Sequence, residues 1–400
     1  MSSASVTAGA AGVSHGPALD GWVVLAMAAT CGLAVANIYY NQPMMAEMAA
    51  SFGLSSGAAG AVPTAAQAGY AIGLLFLAPL GDRLERRGLM LRMLAALVLA
   101  LAAAAAAPSF AVLIAASFLT GALATVAQHV VPMAAHLATP ARRGRVVGTV
   151  MAGLLIGILA ARTVSGVVVE LLDWRAMFWI AAGLMAVTAV VVRLVFPKAE
   201  ATSRLPYPQL MASLLDLFRR ERVLREAAFE QAMLFGAFSI FWSTLTLHLA
   251  SPAYHLGPAA AGLFGLIGIV GVLAAPFSGR LADRGAPRRM VGLGILLALA
   301  SFAIFALFGE SLAGLVAGVI LLDLGVQGAQ ISNQTRIFAL QPEARARINT
   351  IYMVTVFAGG ALGSAAGTVA WTLGGWPAVT GCGLIFCAVS LAIFGLARRR

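Results

Sequence analysis

The chain has 400 residues, 61% of them hydrophobic and 10% charged, with a formal net charge of +11. Soluble domains carry about 25% charged residues, so this composition cannot cover a water-facing surface. The basic residues sit in short loops between apolar runs, a pattern that answers to membrane topology and anionic lipid and excludes a nucleic-acid binder.

Residues 1–20 are small and polar, with no Lys or Arg. They lack the basic start of a cleaved signal and are read as a disordered cytosolic tail. Apolar runs long enough to cross a bilayer then follow one another to the end of the chain. The first half, residues 21–196, holds spans 1 to 6: Gly21–Met45, Ala58–Leu80, Leu89–Ala107, Phe110–Ala138, Val146–Leu172 and Arg175–Phe196. A polar cytosolic linker, 197–226, separates it from the second half, 227–397. There spans 7 to 12 are Ala227–Ala250, Ala259–Gly279, Met290–Phe308, Leu312–Leu340, Ile348–Leu373 and Trp376–Ala397, and a basic cytosolic tail, 398–400, ends the chain.

Of the 26 basic residues, 24 fall on one side of this alternating topology: after spans 2, 4, 8 and 10, around the linker, and at the end. Arg175 is alone on the other side, and Arg162 lies inside span 5. The positive-inside rule then puts both termini in the cytosol, as in a multi-pass protein of a bacterial inner membrane. Cys31, Cys382 and Cys387 lie inside apolar runs and read as small buried hydrophobes. No metal-ligand spacing, nucleophile motif or phosphate-binding loop is present, so neither a cofactor nor an enzyme activity is expected.

The halves repeat. At an offset of about 202, Pro140, Arg145 and Met151 fall on Pro342, Arg347 and Met353, while Gln128 falls on Gln330 and Trp174 on Trp376. Asp82 and Arg83 fall within one residue of Asp283 and Arg284.

The loop Gly279-Arg-Leu-Ala-Asp283-Arg284-Gly285-Ala-Pro-Arg288-Arg289 resembles the signature of the major facilitator superfamily, with a first-half copy at Ala78–Arg87. Asp173-Trp174-Arg175-Ala-Met-Phe178 resembles a second element of that superfamily. The segment from Asn37 to Pro43 resembles its sugar-efflux and drug-efflux permeases. The resemblance implies an all-α membrane protein of twelve transmembrane helices in two parallel six-helix pseudo-repeats, working as a monomer. It implies a secondary transporter that exchanges protons for a small organic solute across a central cavity lined by spans 1, 4, 7 and 10. An uptake symporter or uniporter on the same fold is the alternative, and a membrane scaffold without transport is a further one.

Polar stripes run along those four spans. Asp323, Gln327, Gln330 and Gln334 recur on one face of span 10. Thr125, Gln128, His129 and His136 do so in span 4, with a kink expected at Pro132, and Asn37, Tyr40 and Asn41 in span 1. In span 7 the stripe is Ser239, Trp242, Ser243 and Thr246. Polar groups cannot face lipid, so each stripe lines a cavity or bonds a neighbouring helix. Tyr40 and Trp242 suit either a solute pocket or an interfacial belt.

Asp323 lies deepest of the 15 acidic residues, and burial suits it to carry the coupling proton or to serve as a bonded structural group. His129 is the next titratable candidate, with a hydrogen-bonded structural role as its alternative. Arg162 needs a partner or a wet cavity: it binds an anion, pairs across the halves, or reaches outward toward Glu170. The loops with Asp82-Arg83 and Asp283-Arg284 are expected to latch the halves together in one state.

Overall fold

A computed structural model describes residues 20–55, 57–139, 142–200, 205–268, 287–341 and 344–396. Among these there is no strand. Among the described residues, nine helices are long and apolar enough to cross a membrane, the last of them holding two passes. That helix, Arg345–Leu396, is broken at Gly374 and Gly375, and Gly375 takes a φ of 57°, which glycine adopts without Cβ strain. Spans 1 and 8 complete the twelve as shorter helices, Gly21–Ala36 and Pro258–Ile267. The rest of span 8 and the loop with Asp283 and Arg284 lie outside the described residues.

Local chemistry accounts for the interruptions. Span 1 leaves its helix at Ala36, runs through turns, and resumes as Met45–Ser51. Pro43 has no amide hydrogen and disfavours a helical residue before it, so the Asn37–Met44 stretch cannot continue the ladder. Span 4 breaks between Phe110–Ala124 and Ala127–Leu137. The break falls at Thr125, whose hydroxyl donates to the Ala122 carbonyl at 2.5 Å, and so lies earlier than the kink expected at Pro132, which sits inside Ala127–Leu137. Span 6 starts sharply because Asp173 accepts from the Ala176 amide at 2.6 Å, an N-cap bond.

The repeat is visible in the packing. Gly153 and Gly157 of span 5 lie on the backbone of span 1 at Ala28 and Gly32. In the second half, Gly359 and Gly363 of span 11 lie in the same way on Ala232 and Gly236 of span 7. A side chain at any of these four positions would run into backbone, so the glycines set the close approach that small residues allow between membrane helices. The signature loops also repeat a contact: Arg87 donates to the Phe196 carbonyl at 2.9 Å, and Arg288 to the Phe394 carbonyl at 2.8 Å. Each ties the start of an odd span to the end of the last span of its half.

Within the linker, Tyr207–Arg220 is an amphipathic helix burying Leu210, Leu214 and Leu217. Among the described residues, the hydrogen bonds joining the spans of the two halves lie near mid-bundle or toward the end away from the basic loops. Thr163 donates to the Gly262 carbonyl at 3.0 Å, Glu170 accepts from the Ala259 amide at 3.2 Å, and Thr246 donates to the Gln42 carbonyl at 3.0 Å. Ser239 donates to Gln67 Oε1 at 3.1 Å nearer the middle. The bundle is therefore stitched shut at its far end.

Candidate functional site

Beneath that seal lies a small cavity of about 40 Å³, room for a few water-sized groups. Span 5 supplies Leu155, Ile158, Leu159 and Arg162, span 7 supplies Phe238 and Trp242, span 8 Gly268, and span 10 Asp323 and Gln327. One cation and one carboxylate thus face the same space from opposite halves.

Arg162 is 2% exposed, and its surroundings fix it on three sides. Its Nε donates to Gln42 Oε1 at 2.7 Å. Its guanidinium carbon lies 4.1 Å from the Trp242 ring centroid and 4.8 Å from that of Tyr39, with Phe238 at 5.8 Å. Stacking on aromatic faces replaces part of the hydration that a buried guanidinium loses. Nη2 has no hydrogen-bond partner. Glu170, the outward alternative, is spent on the Ala259 amide.

Asp323 is 5% exposed, and no ion pair within 4.0 Å joins it to Arg162. Gly268 leaves room beside it, since a Cβ there would lie 2.9 Å from Oδ2. The stripe below it is graded: Asp323 is buried, whereas Gln327, Gln330 and Gln334 are half-buried among buried neighbours. Of these, Gln327 lines the cavity beside Asp323.

The other sequence candidates separate from this centre. Asn37 donates to the carbonyls of Leu33 and Ala34 at 2.9 and 3.1 Å and faces Met185 of span 6. Asn41 donates back to Ile38, and Tyr40 is buried in the first-half core. Gln128 donates to the Tyr70 hydroxyl at 2.9 Å, and that ring packs 4.3 Å from Phe357 of the other half. Ser243 shares a 2.8 Å hydrogen bond with Ser364, which joins spans 7 and 11. His129 packs against Gly81 at the basic end of span 2, away from the cavity. Asp82 pairs with Arg86 at 3.1 Å within its own half, and Arg83 follows it at the exposed surface.

Tyr39, Gln42 and Phe238 were not picked out by the stripes. Tyr39 and Gln42 flank Tyr40 and Asn41 in the non-helical turn, where helical periodicity no longer says which way a side chain points. The signal available was Pro43, which announces the irregular stretch.

The sequence matches the Major Facilitator Superfamily over residues 25–340 and again over residues 228–400. It is 41% identical over 372 residues to the uncharacterized transporter YgaY of Escherichia coli O157:H7, covering 93% of this chain and 94% of that one. It is 36% identical to the "Probable transporter SCO4007" of Streptomyces coelicolor, covering 92% and 87%. Among solved structures, a bacterial homologue of the human lysosomal transporter Spinster, inward-facing and occupied, superposes with a TM-score of 0.73 at 16% identity, covering 94% and 96%. The nucleoside transporter NupG superposes with a TM-score of 0.74, also at 16% identity and covering 94% and 98%. With twelve passes, a repeated half and relatives named as transporters over nearly its whole length, the chain is a multi-pass membrane transporter and belongs to the Major Facilitator Superfamily.

Proposed function

We propose that this chain is a proton-coupled exporter of a small organic solute, working by alternating access as a monomer in the inner membrane of a bacterium. The observation that carries this reading is the pair at the cavity: Asp323 and Arg162 line one small space from opposite halves without an ion pair between them. A carboxylate in such a place changes its proton affinity as the guanidinium and the solute approach or withdraw, and rocking of the halves supplies that change. The basic loops face the cytosol by the positive-inside rule, so the sealed end faces outward and both termini lie inside. The Asp82 loop takes the part of a cytosolic latch, its carboxylate exchanging Arg86 for a partner on the other half as that face closes; Asp82→Asn then slows transport without reducing the amount inserted. No chemical step or cofactor belongs to this reading.

Inverted membrane vesicles with an acid interior test it. Amino acids, sugars and organic cations are screened for uptake that a protonophore abolishes. An exporter accumulates its solute in the lumen, an uptake symporter drives it out, and a chain without transport gives neither response.

A further inference from the structure

We propose that the Arg162–Asp323 cavity takes a small zwitterion, an α-amino acid with an apolar side chain, its carboxylate on Arg162 and its ammonium on Asp323; at about 40 Å³ the space is smaller than such a solute, so binding has to part the two halves around it. The proposal names the solute class for the transport reading above and rests on it.

The hydrogen-bond groups left open around the cavity define its ligand. Arg162 Nη2 and Trp242 Nε1 are buried donors with no partner, and both residues line the space. Leaving such donors unmet is costly, and a carboxylate offers two oxygens to accept from them. On the opposite wall Asp323 accepts no hydrogen bond among the described residues, and Gly268 keeps its Oδ2 side clear. An ammonium brings three donors to that carboxylate. Leu155, Ile158 and Leu159 form the remaining wall and accept only an apolar group.

Other solute classes fit less well. A plain anion would meet Arg162 but also the Asp323 charge, and a plain cation the reverse. Aromatic faces often hold organic cations, yet here the Trp242 and Tyr39 faces are already covered by the Arg162 guanidinium. A sugar would leave both charges uncompensated. A zwitterion matches both and adds no net charge to the membrane interior. It also explains exchange, because the solute ammonium and a proton cannot occupy the Asp323 carboxylate together.

The test needs binding rather than a gradient. The purified chain in detergent is titrated with alanine, leucine and methionine, and with two relatives of each: the amide, which keeps only the cation, and the deaminated acid, which keeps only the anion. Binding is read by equilibrium dialysis and by thermal protection. At least one amino acid is expected to bind about tenfold or more tightly than both of its relatives. In Asp323→Asn the advantage over the deaminated acid should shrink toward onefold, and in Arg162→Gln the advantage over the amide should do so. An amide or deaminated acid that binds as tightly as its parent, or no amino acid that outbinds its relatives, overturns the proposal. Zwitterion binding without proton-driven flux would sink the coupling reading alone. Protonophore-sensitive flux of a sugar or a cation would sink the zwitterion alone.

Discussion

The Arg162 guanidinium lies 4.1 Å from the centre of the Trp242 ring, and the two residues come from opposite halves of the chain. Arg162 also holds the Gln42 side chain, and the Gln42 carbonyl accepts from Thr246, one turn beyond Trp242. Spans 7, 5 and 1 are thereby closed into a ring that crosses between the halves twice. Desolvated cation–π contacts are worth about 2 kcal/mol, enough to hold one conformational state roughly thirtyfold over another.

Trp242→Ala should therefore loosen the sealed end. A cysteine placed at Ala261, which is buried where span 8 meets span 5, reports the change once Cys31, Cys382 and Cys387 have been replaced. Its labelling by a membrane-impermeant maleimide added at that end should speed up about tenfold in Trp242→Ala. An unchanged rate would mean that the seal rests on the span 5–span 8 packing alone.

The paired glycine seams should fail alike. Gly157→Ala and Gly363→Ala each put a methyl group against the backbone of the partner span, at Gly32 and Gly236. Overpacking of this kind costs about 1–3 kcal/mol, so each variant should melt several degrees lower in detergent, by similar amounts. Gly183→Ala, whose Cβ would meet nothing within 4 Å, is the control and should melt at or above the wild-type temperature. A loss in only one half would show that the seams are not equivalent.

The twelve spans were legible because hydrocarbon thickness imposes a length and an apolar content that few other constraints imitate. The repeat was legible through its loop residues, and Arg87 and Arg288 do make the same bond. The site was legible only in part. Arg162, Trp242, Asp323 and Gln327 stand out as polar or charged groups in apolar helices, and the fold gathers them at one cavity. Asn37, Gln128 and Ser243 stand out equally, yet Asn37 bonds back to its own span and faces Met185, while Gln128 and Ser243 bond neighbouring helices. A polar stripe says only that a face avoids lipid; which neighbour it meets depends on helix rotation, and this is set by tertiary packing such as the glycine seams.

Glu85 carries a pH-dependent part of the fold. Partial burial raises its proton affinity, but amide donors at Gly88, Ala199 and Arg87 outweigh this and hold its pKa below the usual glutamate value. A depressed carboxylate contributes stability above the unfolded pKa and loses it as pH falls through the folded one. Glu85→Gln should therefore cost about 1 kcal/mol near neutral pH, the scale of a lost helix cap, and progressively less below about pH 4.5. Melting curves from pH 8 down to pH 3, through the range in which the carboxylate takes up its proton, check this. A gap between the two proteins that stays constant with pH would show that the carboxylate charge plays no part.

Asp323 sets the last expectation. It stands 11 residues into the helix that begins at Leu312, about 17 Å along the axis, near the middle of a hydrocarbon core of about 30 Å. Its side chain reaches the cavity shared with Arg162, and the half-buried Gln327, Gln330 and Gln334 continue that face toward the basic end. A proton on this carboxylate removes one of the two opposed charges, so loading and unloading it biases how closely the halves approach. Asparagine keeps the shape and the neutral state but cannot release a proton. Asp323→Asn should thus lose protonophore-sensitive accumulation while still exchanging labelled for unlabelled solute across the same vesicles, at a rate that no longer varies with pH. Uphill transport that survives in Asp323→Asn with an unchanged pH profile would move the coupling site elsewhere. His129, buried against Gly81, would be the next residue to replace.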